Sequence, residues 1–554
     1  MLSLKIKKIV TFISLIFVLS CSKERLPIDF FSVQTNNGGK VTSTTVDNKV
    51  KLTATPDSEY YFVNWNNGST TNPLTITKKG TQVYFANFEK IKYDLTISTI
   101  GEGIVNQELI SPGRTEYNSG SLVRLIASPR VGYSFIKWTG DKISESNPID
   151  IDITSAKSIT AVFEQNYPRF EKTGLPVVFI NTSNITIDKE QYVEGNISVF
   201  GGNNFNDMPE TSIKIKGRGN STWLLGEVWG KKPYQIKFSK KTQILDLPKD
   251  KKWVLLAELS DKSLIRNKIT QEIGKISRFD YVPQSEYSDV FLNNVYIGTY
   301  LITQKVEESK NRVNIGDNGY LIEIDQISRA DDSDVFFQTD LWTKDYPDNI
   351  FNIKEPEIEI NSEKYNFIKN HIKSFESVLY SDDFKDPISG YRNFIDMPSF
   401  VDWYLIHEIS KTVDAKWYSS IYFNYIPGEK IKMGPIWDFD VSYGNIDFNS
   451  SAMGVDGFHV KNNKWYIRLF DDPFFKNEVK ERFKYYENNK LELYNKIDFF
   501  AKYLEKSQEK NFEKWPILGV YVWPNSVFFE THIEEVDHLK GWIEERMLWL
   551  KNNL

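Results

Sequence analysis

Strict alternation of apolar and polar positions marks the opening part of the chain. Val50, Leu52 and Ala54 point one way and Lys51, Thr53 and Thr55 the other, which predicts a half-buried strand ended by Pro56. The pattern returns at Val123, Leu125 and Ala127 and stops at Pro129. Each copy runs on through an aromatic stretch, Tyr61-Phe62-Val63-Asn64-Trp65 and Ser134-Phe135-Ile136-Lys137-Trp138. Each then passes an Asn-Pro pair (Asn72-Pro73, Asn147-Pro148) and closes on Ala-x-Phe-Glu at 86–89 and 161–164. The repetition predicts two all-β units over residues 28–90 and 91–166. A unit of about seventy residues has a marginal core on its own, which favours stacking of the two. Phe62, Trp65, Phe135 and Trp138 are expected in the cores rather than as ligand platforms.

After a connector, Asn166-Tyr167-Pro168-Arg169, the pattern changes. Val177–Ile180, Ser212–Lys216, Tyr234–Phe238, Val290–Leu292 and Tyr320–Ile324 read as strands; Ser399–Thr412, Pro473–Tyr486, Leu491–Lys506 and Phe528–Leu554 carry helical periodicity. Strands first and helices later make this part, residues 173–554, an α+β domain with a strand-rich lobe followed by a helix-rich one.

The 554 residues are 40% hydrophobic and 26% charged, ordinary for a protein with a sizeable core. Residues 1–21 stand apart. Lys5, Lys7 and Lys8 precede an apolar run from Ile9 to Leu19, the layout of a secretory signal. The segment Val18-Leu19-Ser20-Cys21 resembles the end of a bacterial lipoprotein signal, with Val18 where Leu is usual. Cys21 is the only cysteine, so no internal disulfide can form. The resemblance implies that Cys21 is lipidated and tethers an exported protein to the membrane of the bacterial cell envelope, outer-membrane, periplasmic or surface-facing. No other run is long and apolar enough to span a bilayer. Removing Lys5, Lys7 and Lys8 takes the net charge from −6 to −9, which argues against nucleic-acid partners.

Three segments carry candidate chemistry. Gly434-Pro435-Ile436-Trp437-Asp438-Phe439-Asp440 predicts a buried strand end that delivers carboxylates to a cleft, some twenty residues after an isolated Asp414. Carboxylates in that setting suit a hard cation such as Mg²⁺. Gly217-Arg218-Gly219-Asn220-Ser221-Thr222 ends a strand with glycines, hydroxyls and a guanidinium, the parts of a phosphate cradle. A Gly-Asn-Ser hairpin is the plain alternative. Lys231, Lys232 and Lys237 follow on the next strand and are candidates for a phosphate-contacting lysine. Asp261 is placed to cap a helix through Asn267. Histidine chemistry finds no support, because no two of the five histidines have metal-ligand spacing. His532 and His538 read as surface residues. No Gly-x-Ser-x-Gly elbow supports a serine triad.

Residues 29–166 resemble the divergent internalin-type B-repeats of bacterial surface proteins, which implies a spacer or adhesion module. Arg218–Thr222, Lys232-Pro233-Tyr234, Leu264-Ile265-Arg266-Asn267, Asn293–Tyr300, Tyr320–Asp325 and Gly434–Gly444 occur in the order found in the CotH family. That resemblance, over about residues 173–554, implies an atypical protein-kinase-like fold. It also implies Mg²⁺- or Mn²⁺-dependent transfer of the ATP γ-phosphate to a Ser or Thr hydroxyl of an envelope or exported protein. By the same resemblance Asp414 is the catalytic Asp, Asp438 a metal ligand and Asp440 its helper. Arg218, Gly219, Asn220, Ser221 and one of Lys232 and Lys237 would bind the nucleotide, with Glu323 pairing that lysine. The sequence departs from the kinase pattern in three places. Ser419 stands where a kinase has a metal-binding Asn, with Ser420 beside it and Asn424 further on. No His-Arg precedes Asp414, and Gln304 replaces an expected Glu. An inactive kinase-like scaffold and a nucleotidyl transferase are the alternatives these residues leave open.

Overall fold

Both repeats fold alike. The structure, a computed structural model, describes residues 31–111, 117–165, 171–343, 346–416 and 418–554. The signal segment, Cys21 and the connector at 166–169 lie outside the described residues. Repeat one contains β1 (Phe31–Thr35), β2 (Gly39–Val46), β3 (Lys49–Pro56), β4 (Tyr60–Trp65), β5 (Leu74–Thr77) and β6 (Gln82–Lys90). They form two three-stranded sheets, β1-β6-β4 and β2-β3-β5. Repeat two, with β7 (Leu95–Ile100), β8 (Gly103–Leu109), β9 (Ser121–Pro129), β10 (Tyr133–Gly140), β11 (Ile149–Ile153) and β12 (Lys157–Gln165), repeats this as β7-β12-β10 and β8-β9-β11. The alternating positions Val50, Leu52, Ala54 and Val123, Leu125, Ala127 are buried, as are Trp65 and Trp138.

The Asn of each Asn-Pro pair locks the central strand. Asn72 Nδ2 donates to the Ala54 carbonyl at 2.6 Å and its Oδ1 accepts the Ala54 amide at 2.9 Å. Asn147 does the same to Ala127 at 2.6 and 2.9 Å. Asn72→Ala leaves both backbone groups of Ala54 unpaired, a cost of about 1–3 kcal/mol. Hydrogen exchange should then rise across residues 50–56 and stay unchanged across 123–129.

The second compact unit comprises Arg130–Ser134 and Gln165–Leu554. Its strand-rich part is a closed barrel of β13 (Val177–Asn181), β14 (Val193–Phe200), β15 (Met208–Gly217), β16 (Tyr234–Thr242), β17 (Asp250–Leu256), β18 (Ser285–Leu292) and β19 (Val295–Gln304). The order is β13-β14-β15-β16-β17-β19-β18, closed by parallel pairing of β13 with β18. Closure removes the exposed edges of an open sheet. Ile215, Ile236, Trp253, Leu255, Val290 and Ile302 are among the side chains that fill it. Helix α1 (Ser221–Trp229) joins β15 to β16, and α2 (Arg266–Lys275) joins β17 to β18.

Beyond the barrel, β20 (Tyr320–Gln326), β21 (Phe336–Phe337), β22 (Asn349–Glu355), β23 (Ile421–Tyr425) and β24 (Lys432–Met433) form a sheet in the order β21-β22-β20-β23-β24. The helices are α3 (Asp340–Thr343), α4 (Glu363–Leu379), α5 (Met397–Ser410), α6 (Ser450–Met453), α7 (Lys464–Leu469), α8 (Pro473–Asn488), α9 (Lys490–Lys514) and α10 (His532–Asn553). No described helix is long and apolar enough to cross a membrane. Asp396 and Asp472 cap α5 and α8 ahead of Pro398 and Pro473. A capping box at Thr531 and Glu534 starts α10 later than its apolar periodicity does. The surface position expected for His532 is corrected: it is buried, with Nε2 2.9 Å from the Ser263 carbonyl.

One buried ion pair ties α10 to α5. Arg546 and Glu408 are both fully buried and 2.8 Å apart. Glu408 also accepts the amides of His459, Val460 and Lys461, and Arg546 reaches the Glu408 and Gly457 carbonyls. Each charge is thereby satisfied, the condition for tolerating it inside the protein.

Candidate active site

α5 is buried along nearly its whole length and ends at Lys411, whose left-handed backbone (φ 46°) turns the chain into the short helical turn Val413–Lys416. Asp414 sits on that turn. Asp438 follows β24 with φ 70°, a strained conformation for a residue with a Cβ, costing on the order of 1–3 kcal/mol. Neighbours hold it there. Thr412 Oγ1 donates to its carbonyl at 3.4 Å and Ser420 Oγ to its carboxylate at 3.2 Å. Phe439, between the two aspartates, is buried, and its amide donates to Asn267 Oδ1 at 2.8 Å.

Asn267 bridges two charged layers. Its Nδ2 donates to both oxygens of Glu258 at 3.2 Å. Burial first, then Asp261 and Asp440, push the Glu258 carboxyl well above the usual range. Asp261 accepts the Arg266 amide at 2.8 Å, so it serves the start of α2, although Ile265 rather than Asp261 is the N-cap residue. Asn267→Ala strands the Phe439 amide and the Glu258 carboxyl, a loss of about 2–4 kcal/mol. A melting-temperature drop should accompany it, whereas a substitution at exposed Lys275 should produce none.

Asp414, Asp438 and Asp440 line one cleft of about 1020 Å³ with Arg218, Gly219, Asn220, Ser221, Glu323 and Ser419. Burial and the like charges of Asp438 and Asp440 push Asp414 up to about 8. Burial, Asp438 and Asp261 push Asp440 up to about 7. Among the described residues no three His, Cys, Asp or Glu side chains enclose a metal position by themselves. Mg²⁺ usually takes one or two carboxylates and completes its shell with phosphates and water, so the aspartate set fits such an ion. Asp438 and Asp440 are the side chains that would hold it.

Glycine is required at 219. Its φ is 79°, and a Cβ there would lie 2.1 Å from Thr222 Oγ1. α1 starts at Ser221 with no side-chain cap on its free amides. The Arg218 guanidinium lies 5.5 Å from the ring centre of Trp437, just before Asp438.

Two expected residues lie elsewhere, and Glu323 has other partners. Lys232 is not in the cleft: α1 intervenes, and its ammonium sits 4.4 Å over Trp223 and 3.8 Å from Glu227. Lys237 is exposed between Lys214 and Lys252, because Tyr234, Ile236 and Phe238 take the inward face of β16. Lys231 is buried on Asn511 and the Thr299 carbonyl. Glu323 lines the cleft but accepts from Tyr422 at 2.7 Å and faces Lys354 at 3.7 Å. The Ser419 hydroxyl accepts from Arg329. Gln304 is fully buried and accepts from Tyr281 and the Gln284 amide, so it plays no part in the cleft. Asn424 lines a different pocket.

The basic groups of the cleft include Lys252, Lys305, Arg329 and Lys354, none singled out by the sequence. Lys252 is paired with Glu307 at 3.0 Å. Lys305 has no hydrogen-bond or ion-pair partner for its ammonium among the described residues, and burial, then Lys252, lowers it to about 8. A lysine immediately after the buried strand β19 is the signal that could have found it. Asp325, pushed up to about 6 by burial and Glu323, is a further carboxylate in the cleft.

Residues 214–550 match the family described as CotH kinase protein, well over half of the chain. The chain belongs to the CotH kinase family. Residues 31–92 and 93–167 each match the divergent InlB B-repeat domain, in agreement with the two β units. No curated protein matches the chain. As a CotH-type kinase-like protein, it keeps the glycine loop and the Asp-Phe-Asp segment on the wall of one cleft.

Proposed function

We propose that the chain is an exported, lipid-anchored CotH-type kinase that transfers the ATP γ-phosphate to a Ser or Thr hydroxyl of an exported or surface protein. One observation carries the reading. Asp414, Asp438 and Asp440 line one cleft with Arg218 and Lys305; burial, then the neighbouring carboxylates, opposes the charging of Asp414 and Asp440, and burial, then other cations, that of Lys305. The first group calls for a cation and the second for an anion, and a divalent metal with a nucleotide triphosphate supplies both.

Bound Mg²⁺ or Mn²⁺ would neutralise charge on the phosphate oxygens. Asp438 and Asp440 would hold it. Asp414, ionised once the charges of Asp438 and Asp440 are offset by that cation, accepts the proton of the attacking hydroxyl as that oxygen bonds to phosphorus and ADP departs. Arg218, Lys305 and the amides at the start of α1 take the phosphate charge. Ser419, already engaged by Arg329, positions that guanidinium.

The test is label transfer from γ-labelled ATP to envelope proteins, compared with Asp414→Asn. Transfer lost in the variant supports the kinase; transfer from α-labelled ATP indicates a nucleotidyl transferase; no transfer indicates a scaffold. Cys21→Ser should release the protein from the membrane fraction.

A further inference from the structure

Two loops of the helical part gather large rings at the mouth of the cleft. Phe448 precedes α6 and Trp523 follows α9; they are 57% and 38% exposed. Their rings stack 5.5 Å apart with planes only 5° from parallel, and both line the same cleft as Asp414 and Asp440. Tyr521 (45% exposed) and Phe528 (43%) extend the patch, their rings 6.2 Å apart. The Tyr521 hydroxyl donates to Asp447 at 2.6 Å, which fastens one loop to the other. Soluble proteins keep few such contiguous apolar patches in water, and those they keep mark binding surfaces.

Resting on the phosphotransfer reading above, we propose that this platform seats the acceptor, a polypeptide segment with a bulky apolar side chain close to its Ser or Thr. Continuity supports the assignment. Arg218 and Lys305, the groups suited to phosphate, come from the barrel, whereas Asp414 and the platform come from the helical part. An acceptor on the rings therefore enters from the side that carries the proton acceptor.

The chemistry favours an apolar side chain over a sugar. A sugar face on an aromatic ring also needs polar partners for its hydroxyls. Here three of the flanking polar groups already have partners within the protein. Asp447 is held by Tyr521, Asn449 Oδ1 accepts from Ser451 at 2.7 Å, and the Lys262 ammonium donates to the Val520 carbonyl. The stacked faces themselves offer apolar contact.

The probe is an array of short Ser-containing peptides in which each flanking position carries Phe, Leu, Ala, Asp or Lys in turn. Binding of residues 22–554 is read without nucleotide, and phosphate incorporation separately. Peptides with Phe or Leu near the serine should bind about tenfold better than those with Ala. Phe448→Ala/Trp523→Ala should erase that preference while keeping the melting temperature and the Mg²⁺–ATP thermal shift; Trp523→Phe should retain part of it. Absence of an apolar preference in the wild type overturns the proposal. So does competition by neutral oligosaccharides, or loss of the Mg²⁺–ATP shift in the double variant, which would make the rings an adenine site. Platform-dependent peptide binding without any Asp438-dependent ATP shift would keep the platform and remove the kinase.

Discussion

Asp438→Ala should erase the melting-temperature rise that Mg²⁺ and ATP together give residues 22–554. A ligand that binds only the folded state stabilises it by mass action, so the rise reports the site directly. Asp438 is on the wall of the cleft, held in a left-handed conformation by Thr412 and Ser420. Strain of that kind persists where surrounding contacts over-determine it, and here it holds a carboxylate in the cleft beside Asp414 and Asp440. Removing a metal-holding carboxylate forfeits several kcal/mol of transition-state charge stabilisation, so phosphotransfer should fall on the order of 10³-fold or more. The nucleotide-free melting temperature is read beside it, because the variant relieves like-charge repulsion in the cleft but loses the Ser420 contact and sets Ala in a left-handed backbone, so it is the difference with and without Mg²⁺–ATP that reports the site. A variant that still shows the full Mg²⁺–ATP shift would move the metal away from Asp438.

Lys305→Ala should weaken ATP binding by about ten- to a hundredfold, the worth of one charge-assisted hydrogen bond of about 1.5–3 kcal/mol. Lys305 is the better choice among the cleft lysines because its ammonium has no ion-pair partner among the described residues, while Lys252 and Lys354 face carboxylates. The sign of the pH effect follows from its lowered value. Below about 8 the free protein carries the charge that attracts phosphate; as pH rises through about 8 the charge is lost and ATP affinity declines. Asp414 and Asp440 titrate in the same window, so calorimetry between pH 6.5 and 9.5 is read as a difference: the affinity gap between wild type and Lys305→Ala should be full below about 8 and shrink above it. Lys305→Arg should keep affinity without the decline, since a guanidinium stays charged throughout. An unchanged profile in the alanine variant would take Lys305 out of the site.

The repeats were legible because their signal is local. Buried Val50, Leu52 and Ala54 lie next to one another on a strand, and a second copy confirmed the pattern. Closure of the barrel was not legible, since it joins Val177 to Asp289 through a parallel pair with no marker in either segment. The order of motifs points to the three aspartates, and the structure brings them to one cleft. The lysines expected in the cleft lie elsewhere for a geometric reason. Reading forward from the glycine loop to the next strand ignores α1, which spends Lys232 on Trp223, and the alternation that turns Lys237 outward. The same alternation, applied after β19, separates buried Gln304 from cleft-lining Lys305. His532 misled because a charged helix can still bury one residue per turn, and Ser263 waits for it there.

The pair between Arg546 and Glu408 sets an order of events during synthesis. Glu408 lies on the helix that leads into Asp414, and its buried charge has three backbone amides but no opposite charge until Arg546 has been made. A chain emerging amino end first can complete its repeats early, their contacts being near in sequence. The cleft, by contrast, has its supporting frame complete only when Arg546 is present, so a chain shortened at its carboxyl end would keep folded repeats and lose the frame behind Asp414.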